Sequence, residues 1–164
     1  GSDVDNDGFG DIPYVINADN IDRYPLMGPI RVFGVGIWNG EPQEVSVISN
    51  STVAAFQLNE TEKILRFIVV GENVSGFCRV IIPNVIVQDM WHGSYVVLFN
   101  GEPWPFKNWS DAPNTYIYIT YAHSEHEVAI IPEFPPAIIL PLFMAFTMLA
   151  VAFLKKKSLR KLKP

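Results

Sequence analysis

From Arg31 to Ile131 the apolar residues fall in short β-branched and aromatic runs separated by Asn, Gly and Pro. That spacing predicts strands at 32–38, 44–48, 53–58, 63–70, 77–82, 95–99, 115–121 and 127–131. The breaks fall at Asn39-Gly40, Asn50-Ser51, Asn59-Glu60, Gly71-Glu72-Asn73, Pro83-Asn84 and Asn100-Gly101. Asn-Gly between apolar runs is the strongest short-range hairpin signal. No helical period stands out in this stretch. In residues 115–121 the alternation puts Tyr116, Tyr118 and Thr120 on one face and Ile117, Ile119 and Tyr121 on the other, with the aliphatic side expected in the core. The expected fold for residues 30–131 is therefore mainly β, an antiparallel sandwich of immunoglobulin-like type.

A different pattern takes over at residues 137–154, which carry eighteen consecutive uncharged, largely apolar residues. As a helix they reach about 27 Å, close to the roughly 30 Å hydrocarbon core of a bilayer. Pro141 falls near the first turn, where a missing N–H costs little. A single transmembrane helix is predicted, entered through a Pro-rich stalk at 132–136 and followed by a basic tail at 155–164.

Charge orients this helix. All seventeen acidic residues and six of the twelve Lys and Arg residues precede it, and the other six bases follow it. By the positive-inside rule the tail stays cytoplasmic and the N-terminal part lies outside the cell membrane, with the lipid bilayer as the first partner. An acidic body excludes nucleic acid as a partner. Four N-x-Ser/Thr sequons agree with an outside location, at Asn50, Asn59, Asn73 and Asn108, each expected in a turn. Cys78 is the only cysteine, so no disulfide forms within the chain. Because an exported body needs a leader and this chain opens without a Met, an upstream segment is expected.

Signatures of catalysis are missing: there is no phosphate-binding glycine loop, nucleophile elbow or paired-carboxylate motif. His123 and His126 have metal-like spacing, but three residues along a strand they point to opposite faces. Met90, His92 and Cys78 are soft ligands that nothing in the sequence brings together. Trp91, Trp104 and Trp109 offer a sugar-stacking platform or, more prosaically, core and edge cover.

The motif with specific chemistry is Asp3-Val-Asp5-Asn-Asp7-Gly8-Phe9-Gly-Asp11. Calcium needs six to eight oxygens, and alternating Asp residues in a tight loop supply them from one side. Asp3, Asp5 and Asp7 occupy positions 1, 3 and 5 of such a loop, Gly8 permits its turn, the Phe9 carbonyl serves position 7 and Asp11 position 9. Tyr14 stands where an EF-hand has a bidentate Glu, so the remaining ligands must come from elsewhere, with Asp19 and Asp22 the nearest. A weak structural calcium site is expected, with affinity of about 10⁻⁴ to 10⁻³ M. A solvated acidic turn is the alternative.

Residues 3–16, followed by 20–27, resemble the segment that closes right-handed parallel β-helices in NosD-like surface proteins, many of them archaeal. The resemblance implies that residues 1–29 are a junction at the end of an upstream β-helix. The carbohydrate or copper-related roles of that β-helix do not transfer to a chain holding only its end. Pro132, Glu133, Phe134 and Pro135, with the apolar helix and basic tail, resemble the PEF-type sorting signals of archaeal surface proteins. That likeness implies a second fate for the helix, in which a sortase-like processing enzyme cuts near this motif; the other is a plain retained anchor.

Together these readings predict a non-catalytic display and anchoring module of a larger surface protein. It comprises a calcium-braced junction, a glycosylated sandwich spacer, a stalk and an anchor. Two other functions fit the same sequence. The sandwich is then a carbohydrate-binding or adhesion module contacting surface glycans or other surface proteins, or the chain is the tail of a surface enzyme whose catalytic β-helix lies upstream.

Overall fold

The computed structural model describes residues 2–72, 75–133 and 147–148. The chain divides into two units, Gly1–Pro132 and Glu133–Pro164. Of the second unit, Glu133 and the helical residues Thr147 and Met148 are described. Among the described residues no helix is long and apolar enough to cross a membrane. The expected helix at 137–154 lies outside the described residues except at 147–148. Phe134, Pro135 and the basic tail also lie outside them.

The first unit is built almost entirely of antiparallel strands. In chain order these are β1 (Tyr14–Asn17), β2 (Asn20–Asp22), β3 (Ile30–Trp38), β4 (Glu41–Ser49), β5 (Thr52–Asn59), β6 (Ile64–Val70), β7 (Ser75–Pro83), then helix α1 (Asn84–Trp91), β8 (Tyr95–Phe99), β9 (Glu102–Pro103), β10 (Lys107–Ser110), β11 (Asn114–Ala122) and β12 (Glu125–Pro132). Two five-stranded sheets result, ordered β10-β11-β7-β4-β3 and β5-β6-β12-β8-β9, with β1 and β2 as a separate hairpin. Hairpins stay within one sheet, and the chain crosses to the other between hairpins. A sandwich of two five-stranded sheets has more strands than the seven or nine of immunoglobulin domains.

All eight strands expected from the sequence are present. Period-two alternation sets the interior: Val45 and Val47 of β4, Cys78, Val80 and Ile82 of β7, and Ile117, Ile119 and Tyr121 of β11 face Leu65, Phe67 and Val69 of β6, Val97 of β8, and Val128 and Ile130 of β12 in one core. The Asn-Gly turns close β3–β4 and β8–β9 with both residues at positive φ, 53° and 83° at Asn39-Gly40 and 52° and 83° at Asn100-Gly101. These values suit the twist of a two-residue hairpin.

Residues 84–91 correct the expectation that the domain lacks a helix. Pro83 and Asn84, read as a turn, are the entry to α1. The Asn-Val-Ile-Val run looks extended because β-branched residues favour strands. Its buried residues, Ile86, Val87, Met90 and Trp91, nevertheless form a helical stripe that fills the core between the sheets. The helix stops at His92, in left-handed conformation with its N–H on the Gln88 carbonyl, followed by Gly93 at φ 80°. Pro before and Gly after the stripe were the signals available.

A second, smaller cluster lies on the outer face of the first sheet. Ile48, Phe77 and Tyr118 are buried there with Met27, Ile81 and Trp109 packed against them. The N-terminal segment lies on this face, tied to β4 where the Ser49 N–H meets the Pro29 carbonyl. Adding a side chain to Gly28 would drive its Cβ into the Ser49 carbonyl group, so only Gly admits this approach.

Candidate metal site at the N-terminal junction

Asp3 organises the loop. Its Oδ1 accepts the Asp7 N–H at 2.9 Å, and its Oδ2 accepts the Gly8 N–H at 2.9 Å and the Tyr118 hydroxyl at 3.0 Å. Asp11 closes the other end, taking the Val4 N–H on Oδ2 at 2.5 Å, while its own N–H reaches the Ser2 carbonyl. Gly8 makes the sharp turn at φ 90°, and its buried position against the Arg79 side chain, 3.2 Å from a Cβ placed there, leaves little room for any other residue. Phe9 pairs in an isolated bridge with Leu26, flanked by the Gly10 N–H on the Pro25 carbonyl and the Met27 N–H on the Gly8 carbonyl.

Carboxylate oxygens of Asp3, Asp5 and Asp11 lie within 4.8 Å of one another, an arrangement able to hold a cation. Asp7 is not part of this group. Its Oδ1 accepts the Phe9 N–H at 2.8 Å, an Asx turn that spends the carboxylate on the loop's own backbone. Asp19 and Asp22 do not join either. They belong to the β1–β2 hairpin, where Asp22 caps the Tyr24 N–H.

Two cations fix the loop to the sandwich, and both bind main-chain carbonyls. Arg79 on β7 donates from Nη1 to the Asp7 carbonyl at 2.7 Å, and Lys107 on β10 donates from Nζ to the Asp5 carbonyl. Neither of these bonds uses a carboxylate of the cluster, whose Asp3 and Asp11 instead accept the neutral donors Asp7 N–H, Gly8 N–H, Tyr118 hydroxyl and Val4 N–H. Partial desolvation in the loop, then the charges of Asp7, Asp11 and Asp3, push the Asp5 carboxyl above its ordinary value, with Lys107 opposing. A divalent ion would relieve that repulsion.

Arg79 is only 6% exposed, and its guanidinium sits between the rings of Phe9, Tyr116 and Trp109, 4.5, 4.6 and 5.1 Å from their centroids. Burial lowers its pKa, while Asp7 and other acidic neighbours pull it back up. The sequence gives no local hint of this residue's role, because Arg79 meets Asp7 across 72 positions.

The other expected site residues are dispersed. Asn59 ends β5 and caps the Glu62 N–H through Oδ1. Asn50 is exposed but uses both ends of its amide, giving Nδ2 to the Ser75 carbonyl and accepting the Phe77 N–H. Asn108 lies within the edge strand β10, not in a turn, because residues 107–110 pair with β11. Asn73 lies outside the described residues. Pro132 ends β12, and Glu133 follows it.

Soft-ligand residues stay apart. Cys78 and Met90 are core, whereas His92 caps α1 at the surface. Burial pushes the Cys78 thiol strongly up, which leaves it unreactive. His123 bonds Ser51 through Nε2 at 2.8 Å, while His126 bonds Asn100. The tryptophans form no common platform: Trp91 is buried and donates to the Lys63 carbonyl, Trp104 stacks on Phe99, and Trp109 stacks on Tyr116.

No protein-family model, curated protein or solved structure matches the chain. The likeness to NosD-like and PEF-type segments therefore rests on the motifs quoted above.

Proposed function

We propose that the chain is a non-catalytic display and anchoring module of a surface protein, in which a structural calcium ion stiffens the junction entering a sandwich spacer. The observation that carries this reading is the docking of residues 2–11 on the sandwich. Arg79, Lys107 and Tyr118 grip the loop, while the Asp3, Asp5 and Asp11 carboxylates converge within 4.8 Å of one another. Calcium filled in there would be held by at least these three oxygens, with water completing its shell. A site of this kind makes a stiff joint, because the ion and the sheet constrain the same short loop.

The anchor is inferred from the uncharged run at 137–154 and the six bases after it. The proposed location is the cell membrane, with one pass and the sandwich outside. Glycans at Asn59 and the other sequons would cover the spacer.

Thermal melting of the full chain under a calcium titration tests the junction, and an unchanged midpoint at about 10 mM calcium removes the metal from the proposal. Protease accessibility after insertion into vesicles tests the anchor. Replacing the six tail bases with Gln is expected to scramble an orientation that is uniform in the parent, and a uniform orientation in both would show that the tail does not set it.

A further inference from the structure

A cavity of about 450 Å³ opens where α1 closes one end of the sandwich, and none of its walls is acidic or basic. It has the size of a small-ligand site. Asn84 and Gln88 come from α1, Tyr95 from β8, Asn108 and Ser110 from β10, and Thr115 from β11. Asn108 and Ser110 line it together because they alternate along β10 and pair with Ile117 and Thr115, whose side chains face inward.

Part of this wall is rigid and part has unused hydrogen-bonding capacity. Asn84 is fixed, donating from Nδ2 to the Asp111 carbonyl at 2.7 Å and accepting the Thr115 hydroxyl at 2.7 Å. Tyr95 is 8% exposed and accepts the Asn108 Nδ2 proton at 3.0 Å, yet its own hydroxyl proton meets no acceptor among the described residues. The second Nδ2 proton and the Oδ1 of Asn108, the Gln88 amide and the Ser110 hydroxyl are likewise unengaged among the described residues. Neutral donors and acceptors around a small hollow suit a ligand with many hydroxyls and no charge. Ions would leave water for a wall that offers no counter-charge.

We propose that this cavity is a saccharide pocket, with Tyr95, Gln88, Asn108 and Ser110 as its hydrogen-bonding groups. The sugar has two sources of the same chemistry, a free neutral glycoside or a glycan linked to Asn108 itself. Asn108-Trp109-Ser110 is a sequon whose amide and hydroxyl share the pocket wall. In the linked case a phosphate-activated sugar transfers its anomeric carbon to Nδ2, its carrier leaves as the phosphate, and one amide proton is released. The second Nδ2 proton remains for the Tyr95 hydroxyl.

Two preparations of the full chain, held in a detergent without a sugar headgroup, separate these sources. For chain from a non-glycosylating host, methyl glycosides of glucose, galactose, mannose and N-acetylglucosamine are titrated while the amide resonances are followed. Saturable shifts are expected at Gln88, Tyr95 and Ser110, with binding about fivefold to tenfold weaker in Tyr95→Phe and in Gln88→Ala. Tyr95→Phe keeps the ring against Trp91 and Phe106, and Gln88 is exposed, so both variants should retain the fold. For chain from a glycosylating host, the linked source predicts a glycan on Asn108 whose first sugar shows through-space contacts to Tyr95 and Gln88. Support from either preparation identifies the source. No shift with any glycoside together with no sugar contact at Tyr95 overturns the proposal, as does binding that neither variant weakens. Calcium plays no part in this readout, so its failure and that of the metal junction are distinct.

Discussion

The two sides of the sheet β10-β11-β7-β4-β3 are held by different physics. Its inner side packs Val45, Val47, Cys78, Val80, Ile82, Ile117 and Ile119 against the other sheet, all of them 2% exposed or less. Its outer side carries one buried guanidinium, a row of aromatic rings and a loop gripped through main-chain carbonyls. The inner contact is apolar and close-packed, so it is insensitive to ions. The outer one sets an electrostatic grip beside a small apolar cluster, so ions and pH should tune it without unfolding the sandwich.

The largest expected effect comes from the inner side. Ile82→Ala, at a fully buried position, should cost about 2–5 kcal/mol in denaturant unfolding and lower the stability of the whole first unit. A loss confined to the N-terminal loop would mean that the two faces are not distinct.

Arg79→Met should cost less, roughly 1–3 kcal/mol, since it removes one charged hydrogen bond and three ring contacts but keeps an apolar stem. Limited proteolysis should then cut first within residues 2–29 while the sandwich stays intact. Equal protection in variant and parent would show that Arg79 does not hold the junction.

Calcium sharpens the contrast further. For a site near 10⁻³ M, about 10 mM calcium adds roughly 1.4 kcal/mol, a rise of a few degrees in the melting midpoint. Asp5→Asn removes one of the three converging carboxylates and leaves in place the backbone hydrogen bonds made by Asp3, Asp7 and Asp11, so it should abolish that rise while slightly stabilising the calcium-free chain. Retention of the full calcium response in this variant would place the ion elsewhere.

The smallest effects are those of pH. Asp5 is raised, so the folded chain keeps its proton to higher pH than the unfolded chain does. Calcium-free stability therefore falls as pH rises from the ordinary 3.8 through the raised value, and calcium restores it above that value. Asp111 has the opposite sign. The Tyr116 hydroxyl at 2.7 Å and the Asn114 N–H hold its carboxyl low, so its contribution is present above 3.8 and is lost as pH falls through the lowered value. Melts of parent, Asp5→Asn and Asp111→Asn across about pH 3 to 7 separate the two trends, and parallel curves for all three would refute both assignments.

Some of this was legible locally and some was not. Alternation in residues 115–121 assigned Ile117, Ile119 and Tyr121 to the interior, and the structure places them there. The motif at residues 3–11 pointed to converging carboxylates, and three of them converge; Asp7 does not, because its nearest donor is the Phe9 N–H two residues on. The helix at 84–91 was hidden by β-branched residues whose burial only the space between the sheets explains. β10 has no local signature, because four polar-rich residues carry no period, and their pairing with β11 is what makes them a strand.

What the sequence determined by itself is therefore what depends on near neighbours: strand period, Asn-Gly turns, the sharp bend at Gly8, and the separation of acidic body from basic tail. Tertiary structure alone decided which strands share a sheet, that Arg79 and Lys107 seize the acidic loop by its carbonyls, and that Asn108 and Ser110 meet Tyr95 and Gln88 around one cavity. The loop and cavity contacts join residues from 13 to 102 positions apart. Their partners are selected by packing across the sandwich, which no local window of sequence records.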